Sequence, residues 1–565
     1  MKRIIAFIFL SLFIGTACTD LNLNPLSQGS SATWYSNESE ITMALNDCYR
    51  EVFWFQDDNL WTDDLIYRSN LNEVTGNTMT GQSGTVTTLW LNSYKSISRT
   101  NTILASLPRA ASKISAAKLD QYAAEARYCR ACRYSTLISH FGDVIYTTRV
   151  LPLDSAFMVS KTPKATILKG IYADFDFAAS KLPTTNSASS PARATKGAAL
   201  AMKARIALYM GDYTTARDAA KACMDLGAYT LYPDFGKLFL PSTKNASESI
   251  FIIPRSVALN VTLDQGIIQN TTTRTAPNGW CAYNPSWDLF CSFLCKDGLT
   301  IDKSPLYNPR LPFQNRDPRC TKSIVEFGTA HLGFIYQPHP DSTKVLNVNT
   351  GKYVTNMDTR SYTQYASYDG LAVKKAVDID WIDDLKTDPD RIIIRYADVL
   401  LMYAEAKIEL NEIDQSVRDA MNMVRARAYG VDKSAITSYP AITATDQSSL
   451  RRTLRIERRM EFFNENLRYM DIIRWKVAEI VLNKSSYGML DPADQRAKII
   501  SKGLWFFPGI PDFDNQDNPD FTAWYAAGLT KLLTPKTFDK NRQYLWPLPT
   551  TELLGNKNLT QNPGY

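Results

Sequence analysis

The side chains able to do chemistry in this chain are carboxylates, guanidinium groups and aromatic rings rather than imidazoles. Only His140, His331 and His339 are present among 565 residues, too few for a zinc hydrolase or a histidine-based triad to be a good expectation. Glu457 and Glu461 stand one helical turn apart, roughly 6 Å between Cβ atoms, close to the separation a retaining glycosidase needs between its two carboxyl groups. Arg455, Arg458, Arg459, Arg468 and Arg474 crowd the same run. Guanidinium groups hold neighbouring carboxylates ionised instead of raising one for acid catalysis, so the run reads as a structural ion network. Asp378, Asp380, Asp383 and Asp384 lack the glycine and terminal glutamate of a calcium loop and read as a solvated edge. Cys129 and Cys132 sit inside a helical pattern with no second pair, which points to buried thiols. A disulfide among Cys281, Cys291, Cys295 and Cys320 stays open.

The aromatic residues offer a different chemistry. A sugar ring presents a C–H face that packs on a flat aromatic ring and a fringe of hydroxyls that needs carboxylate, amide or guanidinium partners. Trp280, Tyr283 and Trp287 fall within eight residues of a segment flanked by glycine and proline, and are the first candidates for such a platform.

The elements that must position these groups are mainly helices. Lys2 and Arg3, an apolar run over residues 4–14 and the small residues Gly15, Thr16 and Ala17 precede Cys18, the pattern of a secretory leader. Its cleavage before a cysteine predicts lipidation of Cys18. A run of that length spans only about 16 Å as a helix against a hydrocarbon core of about 30 Å, so it is not a comfortable permanent span. Residues 19–31, rich in Asn, Ser and Asp, read as a tether. Helical periodicity covers residues 38–53, 88–107, 118–141, 163–182 and 195–226, then 391–410, 415–429 and 448–482.

Ala201, Ala204 and Leu208, a turn at Gly211-Asp212-Tyr213, and Ala216, Ala219, Cys223 and Leu226 describe two helices packed through small residues. Tyr396, Leu400, Tyr403, Ala406 and Leu410, then Asn411-Glu412-Ile413, then Val417, Ala420 and Val424 repeat the unit. Both resemble tetratricopeptide helix pairs, but they lie about 200 residues apart instead of 34, so simple tandem stacking is not expected. Residues 232–390 break into short β-like pieces such as 249–254 among loops, the kind of terrain that carries binding surfaces on a rigid frame. With 45% hydrophobic and 21% charged residues the chain is no disordered class. A net charge of +6 is too small to imply a nucleic-acid partner.

Several blocks in fixed order resemble the SusD/RagB family of surface nutrient-binding lipoproteins of Gram-negative bacteria. They are Trp90-x-x-x-Tyr94-x-x-Ile97-x-x-x-Asn101; Ala124-Glu125-Ala126-Arg127 leading to Phe141-Gly142-Asp143; Ile394-Arg395-Tyr396-Ala397-Asp398; Glu457-Arg458-Arg459-Met460-Glu461-Phe462; Arg468-Tyr469-Met470-Asp471; and the terminal Gln561-Asn562-Pro563-Gly564-Tyr565. Asn466 stands where the family has glycine, and asparagine tolerates the positive φ of that turn.

The resemblance implies a mostly α fold, SusD-like, with four degenerate tetratricopeptide-like helix pairs plus a loop-rich variable region with short β pieces. It lays the chain out as a signal peptide (1–17), a lipidated cysteine and tether (18–31), an N-terminal helical region (32–231), a variable ligand-binding region (232–390) and a C-terminal region (391–565). It implies noncovalent capture of an oligosaccharide at the cell outer membrane, lipid-anchored and facing the exterior. The partner would be a SusC-like TonB-dependent outer-membrane transporter, with no enzymatic activity and no cofactor or metal. A peptide-binding RagB-like member is the alternative; a tetratricopeptide scaffold or a glycosidase stands further off. It also implies a second contribution to the site from Asp63, Asp64 and Arg68 beside Trp61, and from Trp90.

Overall fold

The computed structural model of the chain describes residues 34–186 and 192–565; the leader, Cys18 and the tether over 18–31 lie outside the described residues. The chain opens with α1 (Glu38–Cys48), then α2 (Gly84–Ser106), α3 (Ala116–Phe141), α4 (Lys164–Lys181), α5 (Lys196–Tyr209) and α6 (Tyr213–Met224). From α2 onward each helix packs on the next. The reversal between α5 and α6 follows from its residues: Gly211 takes φ +78°, a value glycine adopts at little cost. The Asp212 carboxylate then caps α6 by accepting from the Thr215 N–H at 3.1 Å. Ala198, Ala201, Ala204, Ala216 and Ala220 are fully buried where the two helices meet, and their lack of bulk lets the backbones approach closely.

The second helix pair is α9 (Tyr396–Glu409) and α10 (Gln415–Ala428), and α9 lies directly on α6. The stack is therefore interrupted in sequence and continuous in space, which corrects the expectation from spacing alone. The intervening residues leave the stack and return to it through one strand pair. In it β2 (Ser249–Ile253) runs antiparallel to β4 (Arg391–Arg395), with Phe251 opposite Ile394 and Ile253 opposite Arg391. Residues 391–395 are thus a strand and not the first turn of a helix. Their run of three isoleucines is β-branched and favours the pleated half-buried surface that β2 supplies.

Between these strands lie β1 (Leu65–Tyr67), contributed from the N-terminal side, and β3 (Tyr283–Pro285), which pair antiparallel, together with α7 (Gln265–Thr271) and α8 (Trp287–Ser292). A four-stranded meander occupies 330–355. Beyond the stack, α11 (Gln447–Phe462) and α12 (Arg468–Arg474) are separated by a bend where Asn464 and Asn466 both take φ +61°. The helical pattern over 448–482 is broken there, and asparagine fills the left-handed position as its residue type allows.

The loop-rich region has a core of its own. Trp287, Phe290, Phe293, Ile324, Leu371 and Val373 pack with Met460, Met489, Phe506, Phe507, Phe521 and Trp524. Asp369 is enclosed at its edge: Oδ1 accepts from Ser367 Oγ at 2.8 Å and Leu371 N–H at 2.9 Å, while Oδ2 is buried without a partner. Burial pushes its carboxyl up to about 7. A folded-state value raised above the unfolded one means that stability is full below the unfolded pKa, about 4, and falls as pH rises through 7. Asp369→Asn removes that loss, so its stability relative to wild type should improve by about 2–3 kcal/mol between pH 5 and pH 8. Thermal midpoints of both proteins across that range check the sign, and a constant offset would refute it.

Candidate functional site

Four of the residues singled out from the sequence belong to the frame. Asp63 and Asp64 are buried at the entrance to β1. Arg459 of α11 contacts both, Nη2 at 2.9 Å from Asp63 Oδ2 and Nε at 2.7 Å from Asp64 Oδ1, and Arg468 of α12 adds a 2.8 Å contact to Asp63. Burial opposes ionisation of Asp63, but the two guanidinium groups outweigh it and hold its carboxyl well below the usual range. These carboxylates tie the N-terminal segment to α11 and have no face left for sugar hydroxyls. Trp90 is buried in α2 against Tyr94 and, edge-on, Phe141. Trp287 is 3% exposed, ringed by Phe506, Phe507, Phe521 and Trp524, and its Nε1–H donates to the Asp369 carbonyl at 2.9 Å. Neither tryptophan can serve as a platform.

The other three come together. The β1–β3 pairing sets Tyr67 opposite Tyr283, with ring centroids 5.7 Å apart and planes 66° apart. Upstream of β3 the chain runs back along the end of α7, where Trp280 N–H donates to Gln269 O and Ala282 N–H to Asn270 O, both at 2.7 Å. Gly279 makes this possible, since a Cβ there would lie 1.9 Å from the Thr273 carbonyl oxygen. Trp280 is held 44% exposed, and among the described residues its ring stacks on no other. Arg68, at φ +50°, turns its side chain so that Nη2 donates to the Trp280 carbonyl at 3.0 Å. Its guanidinium carbon lies 5.3 Å from the centroid of Tyr365, and Arg274 approaches the same ring at 5.8 Å.

Tyr365 and Tyr362 are 47% and 59% exposed. Neither is among the candidates singled out from the sequence, although both lie in the loop-rich stretch 232–390. The usable signal was their setting in a polar Ser-, Thr- and Gln-containing stretch, where no apolar periodicity offers them a core. The surface thus combines exposed aromatic faces with two guanidinium groups, the pairing that a sugar's C–H face and hydroxyl fringe require.

Half-buried Tyr283 also lines a cleft of about 380 Å³ that runs inward between Phe239, Trp381, Asp58, Asn59 and Asn464. Its volume and mixed lining suit a ligand of several rings or residues.

The carboxylates of the glycosidase spacing are elsewhere and fully buried. Glu461 Oε1 lies 2.7 Å from Arg395 Nη1, its Oε2 3.1 Å from Arg319 Nη1, and it also pairs with Arg427. Glu457 is clamped by Arg319 and Arg425, each at 2.7 Å. Burial works against a charge on Glu461, yet Arg427, Arg395 and Arg319 together hold it ionised far below the usual range. The eight described cysteines are likewise buried and free, and burial pushes the Cys132 thiol up to about 12, far from a reactive thiolate.

The stacked helical frame with its long insertion recurs in solved SusD-like structures. A family model described as the SusD family matches residues 247–565, and one described as starch-binding associating with outer membrane matches residues 34–208. The chain belongs to the SusD family. SusD-like protein P2 of Formosa agariphila is 25% identical over a 604-position alignment that covers 100% of both chains. Among solved structures, a SusD-like carbohydrate binding protein from Bacteroides fragilis is 28% identical with a TM-score of 0.75, over 93% of this chain and 99% of that one. A laminarin binding SusD-like protein shares the fold at 19% identity, with a TM-score of 0.64 over 94% of this chain and 100% of its own. No helix among the described residues is long and apolar enough to cross a membrane.

Proposed function

We propose that this protein is an outer-membrane lipoprotein, anchored through Cys18 and facing the cell exterior, that binds an oligosaccharide noncovalently and passes it to a SusC-like TonB-dependent transporter. The observation that carries the reading is exposed Trp280, whose carbonyl accepts from Arg68, together with the exposed Tyr365 ring that Arg68 and Arg274 both approach. The carbohydrate-binding description of the Bacteroides fragilis relative supports it. Catalysis has no place in it, because the carboxylate pair with glycosidase spacing is locked in ion pairs away from this surface. Affinity is modest, since stacking on a shallow site is offset by the ordering of a flexible sugar.

Trp280→Ala is expected to weaken binding of a captured oligosaccharide about 10-fold, or about 1.4 kcal/mol, with an unchanged melting midpoint. A glycan array to find the ligand, then isothermal titration of wild type and variant, measures this. Undiminished affinity in Trp280→Ala and Tyr365→Ala alike would move the site elsewhere. Titration of a peptide pool in parallel separates the peptide-binding alternative, which predicts heat from peptides and none from glycans.

A further inference from the structure

The cleft lined by Tyr283 adjoins a second cavity. Gln56, Asp57, Arg391, Ile392, Glu465 and Asn466 line both it and this second chamber of about 110 Å³, which lies between α3, α5 and β4. One water needs roughly 10–15 Å³ by the same measure, so the chamber has room for several waters or for one small polyatomic ion. Arg133 of α3 borders it and is 3% exposed. Among the described residues its guanidinium group has no carboxylate or oxygen partner; its company is the Trp54 ring, 4.2 Å from centroid to Cζ, and the neighbouring Cys132 thiol. A buried charge without a counter-ion is costly, and a single cation–π contact offsets only part of that cost.

The carboxylates around the chamber are already committed. Asp57 faces His140 Nε2 at 2.8 Å, Glu465 is shared by Lys375 and Arg395, and Asp398 is shared by Arg205 and Arg458. Glu51, the carboxylate nearest Arg391, is bound by Arg255 at 2.6 Å and reaches Arg391 only at 3.4 Å. Arg391 Nε is buried without a partner. Burial, together with Arg255 and Arg133 nearby, pushes Arg391 down to about 10. Arg133, with no oxygen partner, and Arg391, whose Nη2 donates to the Trp54 carbonyl at 2.5 Å and whose Nη1 reaches Glu51 at 3.4 Å, therefore border a chamber of mixed polar and apolar lining in which positive charge is in excess.

We propose that this smaller chamber binds a small oxyanion, a carboxylate or sulfate group, between Arg133 and Arg391. The group is either a free ion or the acidic substituent of a saccharide seated in the adjoining cleft; the second source rests on the glycan reading above and would make the ligand a uronic-acid-bearing or sulfated glycan. Planar guanidinium donors match both groups in geometry.

The test titrates full-length protein with sodium sulfate against chloride at matched ionic strength, with an oligouronate pool, and with the same pool after carboxyl reduction. Wild type should bind sulfate saturably at one site, and Arg133→Gln and Arg391→Gln should each weaken it at least 10-fold. A preference of 10-fold or more for the acidic pool over its reduced form assigns the anion to the sugar; saturable sulfate binding without that preference assigns a free ion. The proposal falls if wild type neither saturates with sulfate nor prefers the acidic pool, or if both variants match wild type. Should Arg133→Gln fail to fold, Arg391→Gln and the wild-type arms still decide. Neutral sugar bound equally by all three proteins would sink this proposal and leave the glycan reading standing, whereas sulfate bound with no glycan of either charge would do the reverse.

Discussion

Glu461→Ala is expected to cost about 3–5 kcal/mol of stability, the range for removing one partner from a buried ion cluster. The reason is what remains behind. Glu461 receives Arg319 from the loop-rich region, Arg395 from β4 and Arg427 from α10. Its removal takes a counter-charge from three buried guanidinium groups at once: Arg319 keeps Asp317 and Glu457, Arg395 keeps Glu248 and Glu465, and Arg427 keeps only Glu248, which it shares with Arg395. The cluster joins the helical stack to the insertion, so the loss should appear as a lower midpoint for the whole protein and not as local fraying. Glu412→Ala, which breaks only the exposed contact with Arg217, should move the midpoint by no more than about 0.5 kcal/mol equivalent. Because the Glu461 carboxyl is held far below its ordinary range, its stabilisation is complete above about pH 4.5 and is lost as pH falls through the depressed value. The gap between wild type and variant should therefore narrow in acid. Calorimetric scans at pH 7 and pH 3 measure both statements, and equal midpoints at pH 7 would show that the cluster holds nothing together.

The same cluster shows what the sequence discloses and what it hides. The density of arginine around Glu457 and Glu461 is visible in one short run, and an ion network follows from it by charge alone. The partners are not visible: Asp64 sits 395 positions from Arg459, and nothing local marks Asp63 and Asp64 as its counter-ions rather than as ligands for hydroxyls. The helix pairs were legible because small residues repeat at helical spacing on both sides of a glycine or asparagine turn. Their stacking across the insertion was not, since contact between α6 and α9 depends on where the intervening chain returns. Residues 391–395 misled for a related reason: an apolar run of that length fits either period, and the strand it pairs with lies before the insertion. Among the site residues, aromatic clustering located the right segment around Trp280. It could not say which rings point outward, because that choice is made by the β1–β3 register and by residues 489–524, which close over one side.

Trp287 and Trp280 turn that distinction into an experiment, and Trp287→Ala has the larger expected effect on the fold. Removing a ring packed against Phe506, Phe507, Phe521 and Trp524 leaves a cavity costing about 3–5 kcal/mol. It also strands the Asp369 carbonyl that accepts its indole N–H. Trp287→Phe restores part of the volume but not the donor, and should fall between the two. Well below its melting point, Trp287→Ala should still bind glycan within about threefold of wild type, a difference of roughly 0.7 kcal/mol, because the packed core lies behind the Trp280 surface and not on it. Trp280→Ala should do the opposite, keeping the midpoint and weakening ligand binding about 10-fold. Two tryptophans seven positions apart would then separate stability from recognition. If instead Trp287→Ala loses glycan binding as fully as Trp280→Ala while remaining folded at the temperature of the titration, the ligand must reach behind the exposed rings, and residues 505–524 would have to move to admit it.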